Sequence, residues 1–564
     1  MKQLIPLLAF PILTSVGFAT TRVSDGSMSN TQALVEESSP GDIVQIPAGT
    51  YTGWGAGWTA LNLDKSGVTV TGTVSGGMNQ TTIIADPSAP TGPNGFIQFT
   101  SGSGTVTGTV LANLKAVGAS TNGVMFYADS TSQTWRMTNV SADQSDGGTL
   151  VDTNYLFNIP SGSSFGTIDH CTFTVTNSEP FFMRGDPNAW QEPDYAGSPF
   201  TAGIQNTLYV EDCTFSGSGS VCDMNANMRA CFRFNTINVG KIDGHGLSTN
   251  TPAHSFREIE IYGNTNTVGG TFMDLRGGTG LIFGNKITSS GNTYLDLSDM
   301  SYDGGIYTAG QYAIPDQVGS GQDQSGTLTI SVAVGNPATV TTSAPLNIPV
   351  GTEFHLAAYH NPGSGFVFTV GSTIAANSTP ALSNSNVNDC VVTGTNTFRV
   401  YSVSSSNIAS PLAVTVAGTG TLTLGDYSGV QSDPAYAWNN TQMGSPIAIS
   451  PQYEDGHSMA GIINPNRDYF DGATSVNGIP GVLSGPLSSR PSSGVVVGQG
   501  YWATDQGGNW NTMNNTPGDP GYGFGQGALY VWNGSAWVLK YTPYTYPFYS
   551  SGPIAPSNLS ISSP

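Results

Sequence analysis

The chain has 564 residues, of which 73 are Gly and only 9% are charged, and its formal net charge is −21. With 16 Lys+Arg against 37 Asp+Glu, it lacks the basic surface that nucleic-acid phosphates demand. Beyond residue 20 no apolar run is long enough to span a bilayer, and short Val-, Thr- and Ile-rich runs without helical period read as an all-β chain.

The first residues read as an address. Met1-Lys2 is a short basic start, residues 4–18 are apolar, and Gly17-Phe18-Ala19 places small residues before a cut after Ala19. That predicts a signal peptide over 1–19 and a protein secreted to the periplasm or beyond. Five cysteines in an exported chain leave at least one unpaired. Next, Asn30 to Glu37 reads as a short amphipathic helix with polar capping residues.

From there a short apolar strand broken by a small polar residue recurs down the chain. Its ladder residues are Asn113, Asn139, Cys171, Cys213, Asn235, Asn264 and Asn285, spaced 26, 32, 42, 22, 29 and 21 residues apart. One unit repeated at such a period is a solenoid. Asn tolerates the left-handed backbone of a sharp corner, and stacked amides can bond coil to coil. The expectation is a parallel β-helix over residues 20–310, with Asn235, Asn264 and Asn285 at one corner. Cys171 and Cys213 share a rung position, as stacked small residues or as a touching pair. The helix followed by Pro40-Gly41-Asp42-Ile43-Val44-Gln45-Ile46-Pro47 resembles the opening of the pectate-lyase-like superfamily. That resemblance implies a right-handed β-helix with a capping helix over its first coil.

Around residue 310 the repeat stops in a Gly-rich polar linker. From 327 to 425 strands such as Thr327 to Val332 and Phe398 to Val403 alternate strictly, as half-buried antiparallel strands do. With Asn336-Pro337-Ala338-Thr339 this stretch resembles a small β-barrel module of phage-tail and bacterial surface proteins, and it reads as an insertion. The region 426–564 is rich in aromatics, with Trp502, Trp510, Trp532 and Trp537 and a hairpin turning at Asn533-Gly534. It is expected to pack on the β-helix or cap it; the alternative is a hairpin whose rings stack on sugar. Elements such as Leu275-Arg276-Gly277-Gly278, Tyr501-Trp502-Ala503-Thr504-Asp505 and Tyr541-Thr542-Pro543-Tyr544 resemble a group of secreted bacterial β-helix proteins without a settled activity.

Counting a near-constant distance forward from each ladder residue lines up one outward column, Phe182, Asp223, His245, Asp274 and Asp296. Beside it run Arg184, Asn225, Leu247, Arg276 and Ser298. Parallel strands lie about 4.8 Å apart, so Asp223 and Asp274 should stand roughly 9–10 Å from each other. Such a carboxylate pair suits inverting glycoside hydrolysis. A histidine between them could instead abstract a proton beside a uronate, with Arg276 or Arg184 neutralising the charge. The candidate catalytic residues are thus Asp223, His245 and Asp274; Arg184, Trp190, Asn225, Arg276 and Asp296 are the candidate substrate contacts. Trp190 comes from the long 180–200 insertion, a candidate groove wall.

Gly244-His245-Gly246 with Asp223 one coil earlier resembles part of the polygalacturonase-type hydrolase pattern, but only one Asp is present and Cys222 precedes it. No cofactor is expected; Ca²⁺ is the ion to expect if the reaction is a lyase. The partner is a polysaccharide or cell-surface glycan, which the protein either cleaves or, as a non-catalytic adhesin or phage-tail-like protein, merely holds. Glu211 with Arg233 and Arg229 with Glu258 fall on shared rungs and read as surface ion pairs between coils.

Overall fold

The computed structural model describes residues 19–87, 95–100, 104–118, 125–129, 132–143, 157–159, 165–175, 181–184, 200–225, 228–244, 256–275, 278–298, 326–345, 353–356, 369–370, 388–404, 407–411, 418–424, 434–452, 465–466, 469–476, 478–513 and 526–548. Its main body is a right-handed parallel β-helix with three strand faces per coil, right-handedness being the rule for parallel crossovers. On face 1 lie Phe165–Asp169, Leu208–Glu211, Arg229–Arg233, Glu258–Tyr262, Thr279–Phe283 and Ala435–Trp438, each paired in parallel with the next. Face 2 stacks Thr172–Val175, Thr214–Gly217, Thr236–Asn238, Thr265–Asn266, Lys286–Ile287 and Thr441–Gln442. Face 3 stacks Phe181–Arg184, Cys222–Asn225, Ile242–Gly244, Gly270–Leu275, Thr293–Ser298 and Ile449–Gln452.

The sharp corner between faces 1 and 2 explains the repeated motif. A residue with left-handed backbone comes first: Asn113, Asn139, His170, Asp212, Phe234, Gly263, Gly284 and Asn439 have φ between 51° and 68°. The residue after it points into the core. For Asn235, Asn264 and Asn285 that inward amide does two jobs. Nδ2 of Asn235 donates to Oδ1 of Asn264 at 3.0 Å, and Asn264 does the same to Asn285 at 3.0 Å. Each Nδ2 also donates to a backbone carbonyl, that of Val210, Phe232 or Ile261. Cys213 and Cys171 take the same place, their thiols donating to the carbonyls of Ile168 at 3.5 Å and Met137 at 3.6 Å. Both are buried and unpaired by disulfide.

Two members of the expected ladder sit one residue out. Leu114 is in register with Val140, and the Val140 amide donates to Cys171 Sγ. Asn113 and Asn139 are therefore the left-handed corner residues themselves, bonded to each other at 2.8 Å. The motif is ambiguous because Asn suits both positions, as Asn439-Asn440 demonstrates. Asn440 accepts from Asn285 at 2.8 Å across 155 residues of chain, so the stack resumes after the insertion.

The helix Met28–Glu36 covers the first coil. Ser27 caps it by accepting from the Asn30 amide, and Val35 and Thr31 are buried beneath it. Inside the coils, side chains such as Ile83, Phe99, Ile168, Phe215, Ile261 and Leu297 have no exposure. Burial of that kind stabilises by roughly 1.5–3 kcal/mol per large apolar side chain. The insertion forms a separate eight-stranded antiparallel sheet. Residues Val482–Gly485, Gly500–Ala503, Ala528–Trp532 and Trp537–Tyr541 form a four-stranded sheet in the C-terminal region.

Candidate functional site

Faces 1 and 3 hold most of the buried charge, in opposite ways. On face 1 the outward residues Tyr209, Tyr262, Phe283, Tyr436 and Trp438 form one buried cluster with Trp502, Trp510, Leu529, Tyr541 and Tyr546 of the C-terminal region. Tyr262, Phe283 and Trp438 stack rung on rung, with centroids 4.5 and 4.4 Å apart. The aromatic tail thus lies against the β-helix, and its indoles Trp502 and Trp510 are spent on that packing.

The same contact overturns the surface reading of the Glu211–Arg233 pair. They do share a rung, but Arg233 has no exposure at all. Its guanidinium lies 2.5 Å from Glu211 Oε2 and donates to Tyr262 Oη and to the carbonyls of Tyr544 and Thr545. Glu211 also accepts from the Phe548 amide. The pair is buried because the tail arrives from more than 300 residues away, which rung spacing alone does not convey. Arg229 and Glu258 lie 3.3 Å apart, with Glu258 nearly buried as well. Two more carboxyls are held by tail phenols: Glu260 by Tyr541 and Asp212 by Tyr546, the latter at 2.6 Å. Burial pushes Glu260 up to about 7 and Asp212 up to about 6.

Face 3 carries the column read from the sequence, with one substitution. Phe182 pairs with Asp223, Asp223 with Asp243, Asp243 with Asp274, and Asp274 with Asp296. Asp243, not His245, occupies the rung between Asp223 and Asp274. The coil from Asn235 reaches its face 3 strand two residues sooner than its neighbours do, so a count of ten residues overshoots. The signal that could have found it is Ile242-Asp243-Gly244, which matches Cys222-Asp223-Met224 and Met273-Asp274-Leu275 in pattern. Gly244 fills the inward place, where a Cβ would lie 2.3 Å from the Phe256 ring.

His245, Trp190 and Arg276 lie outside the described residues, as does the 185–199 part of the expected groove wall. Arg184 and Asn225 are in register with each other at the end of their strands. The column therefore brings together Asp223, Asp274 and Asp296 of the predicted residues and adds Asp243 and Lys241.

Lys241 immediately precedes its strand. Its ammonium lies 2.6 Å from Asp274 Oδ2 and 3.0 Å from Asp243 Oδ2. Asp296, one rung beyond, accepts from Thr271 Oγ1 at 3.1 Å. Its Oδ1 is buried with no hydrogen-bond partner among the described residues. Burial, and then the Asp274 charge, push Asp296 up to about 7. Asp243, Asp274 and Asp296 are 3%, 6% and 7% exposed, whereas Asp223 is half-buried. One carboxyl poised to hold a proton near neutrality beside lysine-bound carboxylates is an acid–base arrangement. Among the described residues no group of three or more His, Cys, Asp and Glu is arranged to hold a metal ion, and no helix is long and apolar enough to cross a membrane.

No protein-family model matches the chain, and no curated protein sequence is similar to it. Among solved structures, a PL6 family polysaccharide lyase from Pseudopedobacter saltans is similar at 13% identity and TM-score 0.29, covering 50% of this chain and 66% of that one. A tailspike protein of E. coli bacteriophage HK620 is similar at 8% identity and TM-score 0.26, covering 68% and 82%. No residue correspondence is taken from either.

Proposed function

We propose that this is an exported carbohydrate-active enzyme that cleaves a polysaccharide lying along face 3, with Asp296 as the proton donor. The observation that carries this reading is the split within one carboxylate column: Asp296 is pushed up to about 7 while its neighbour Asp274 is bound by Lys241 at 2.6 Å. A glycosidase needs one carboxyl protonated at the leaving oxygen and a second one charged. Adjacent rungs, about 4.8 Å apart, fit the roughly 5–5.5 Å separation of retaining enzymes, with Asp274 as nucleophile. Two rungs, from Asp296 to Asp243, fit the wider inverting separation with Asp243 as base. Elimination from a uronate would draw on His245 and Arg276 instead. The apolar start of the chain supports export.

The test is reducing-end release from a panel of neutral and uronic-acid glycans, with absorbance of unsaturated ends recorded in parallel. Hydrolysis without unsaturated product is expected, lost by at least about 100-fold in Asp296→Asn and Asp274→Asn. Absence of cleavage across the panel, with binding retained, would leave a second reading: a non-catalytic glycan-holding surface protein. The near-complete burial of Asp243, Asp274 and Asp296 favours that second reading.

A further inference from the structure

Face 3 continues for five rungs on the N-terminal side of its acids, and there its outward residues change character. Asn62 pairs with Gln98, Gln98 with Tyr127, Tyr127 with Asn158, and Asn158 with Phe182, the rung before Asp223. Leu61, Ile97, Phe99, Phe126 and Ala128, which flank the first three in their strands, have no exposure. By alternation Asn62, Gln98 and Tyr127 therefore point outward, and all three are partly exposed. Gln98 donates to the Gly95 carbonyl at 2.9 Å. The Asn62 side-chain amide and the Tyr127 hydroxyl have no hydrogen-bond partner among the described residues. Three uncharged hydrogen-bonding side chains thus stand on successive rungs about 4.8 Å apart, close to the advance of one sugar residue along an extended chain. At its far end this arm meets the capping helix, where Gln32 Oε1 accepts from the Asn62 backbone amide at 2.7 Å.

The surroundings decide which polymer fits. Two residues beyond Asn62 and Tyr127 lie Asp64 and Asp129, the latter accepting from Thr100 Oγ1 at 2.7 Å, and the four aspartates from Asp223 to Asp296 follow on the later rungs. Along the same length the cations among the described residues are Lys65 beside Asp64, Arg184 at the end of the Phe182 strand, and Lys241 against Asp243 and Asp274. A polyuronate would bring a further carboxylate to each rung of a wall where acids already outnumber bases. An uncharged glycan brings hydroxyls, which both donate and accept, and C–H faces that suit the Tyr127 ring. We infer that Asn62, Gln98 and Tyr127 are the binding arm of face 3, and that they hold an uncharged polysaccharide lying along the helix axis, one sugar residue to a rung. That the held chain runs on to a cleavage point rests on the function proposed above; the arm binds whether or not cleavage follows.

The experiment uses the whole chain and reads binding by calorimetry at physiological salt. The probes are hexasaccharides of glucose, mannose, galactose, xylose and N-acetylglucosamine, with oligogalacturonate of the same length as the charged comparison. At least one uncharged hexasaccharide is expected to bind, at least about tenfold more tightly than its trisaccharide and than oligogalacturonate, because each added residue meets another rung. Gln98→Ala and Tyr127→Ala should each weaken that binding by about 5- to 10-fold. Should Tyr127→Ala fail to fold, Gln98→Ala, at a partly exposed position, decides alone. Absence of binding by every uncharged probe, tighter binding of oligogalacturonate, or unchanged affinity in the Gln98 variant overturns the proposal. Binding that falls in the variants without any cleavage by the wild-type protein removes the enzymatic reading alone. Cleavage with KM unchanged in both variants removes this inference alone.

Discussion

Faces 1 and 3 of one solenoid bury charge by opposite routes. Face 1 sets a cation and donors beside its acids, and a distant segment completes it: Arg233 meets Glu211, and the tail closes the remaining valences with carbonyls, an amide and two phenols. Face 3 stacks four aspartates in succession, with one lysine between the middle two. The first arrangement is what a buried ion pair needs to be stable. In the second, like charges a rung apart repel. A repeat that tolerates Phe182 and Ser450 at the ends of the same column does not require acids between them, and this is why face 3 is read as the site.

Removing the cation from face 1 gives the sharpest contrast. Arg233→Met leaves Glu211 buried without its guanidinium partner, and the Tyr544 and Thr545 carbonyls unanswered. A loss of about 3–5 kcal/mol is expected, seen in chemical denaturation together with release of the tail to protease. A loss below about 1 kcal/mol would mean that the tail does not depend on this pair and that the two faces are alike.

Why one face was legible and the other only partly so has a physical basis. The corner and its Asn stack are local, so a motif of five residues carries them, apart from the one-residue ambiguity at Asn113 and Asn139. The acidic column was found because each rung repeats the same apolar–Asp pattern. Its middle member was missed because the bend after Asn238 is short, and a two-residue change in bend length slides a different residue into the rung. Lys241 was missed for a related reason: it stands outside the repeated strand and reaches across rungs. The tail contacts on face 1 are tertiary, joining residues near 211 and 233 to residues near 545, and no period in the sequence encodes them.

A second way to sharpen the comparison is pH. Glu260 and Asp212 of face 1 are raised in the folded protein, to about 7 and about 6. A carboxyl whose folded value is raised binds its proton more tightly folded than unfolded. Its stabilising contribution is therefore complete below the unfolded value of about 4 and is lost as pH climbs through the folded value. For Glu260, raised by burial from 4.5 to about 7, the change is on the order of 3 kcal/mol. Docking of the tail should thus be tighter at pH 5 than at pH 8. Hydrogen exchange over Ala528–Trp532 and Trp537–Tyr541 reads it directly, and Glu260→Gln should flatten the dependence. Equal protection at both pH values in the wild-type protein would contradict this assignment.

The smallest expected effect belongs to face 3. Asp223 is the half-buried end of the acidic column, and the residue in register with it on the next coil is another carboxylate, Asp243. Asp223→Asn keeps the shape and removes one like charge at about the rung spacing of 4.8 Å. At that exposure the repulsion is worth little, so stability should change by less than about 0.5–1 kcal/mol, in the stabilising direction. The sign matters more than the size, because taking a carboxylate from face 1 at Glu211 strands a buried guanidinium and must destabilise. Paired thermal melts of Asp223→Asn and Glu211→Gln at pH 7 measure it. If both variants melt earlier by similar amounts, Asp223 is held by its surroundings as tightly as Glu211 is, and face 3 is framework rather than site.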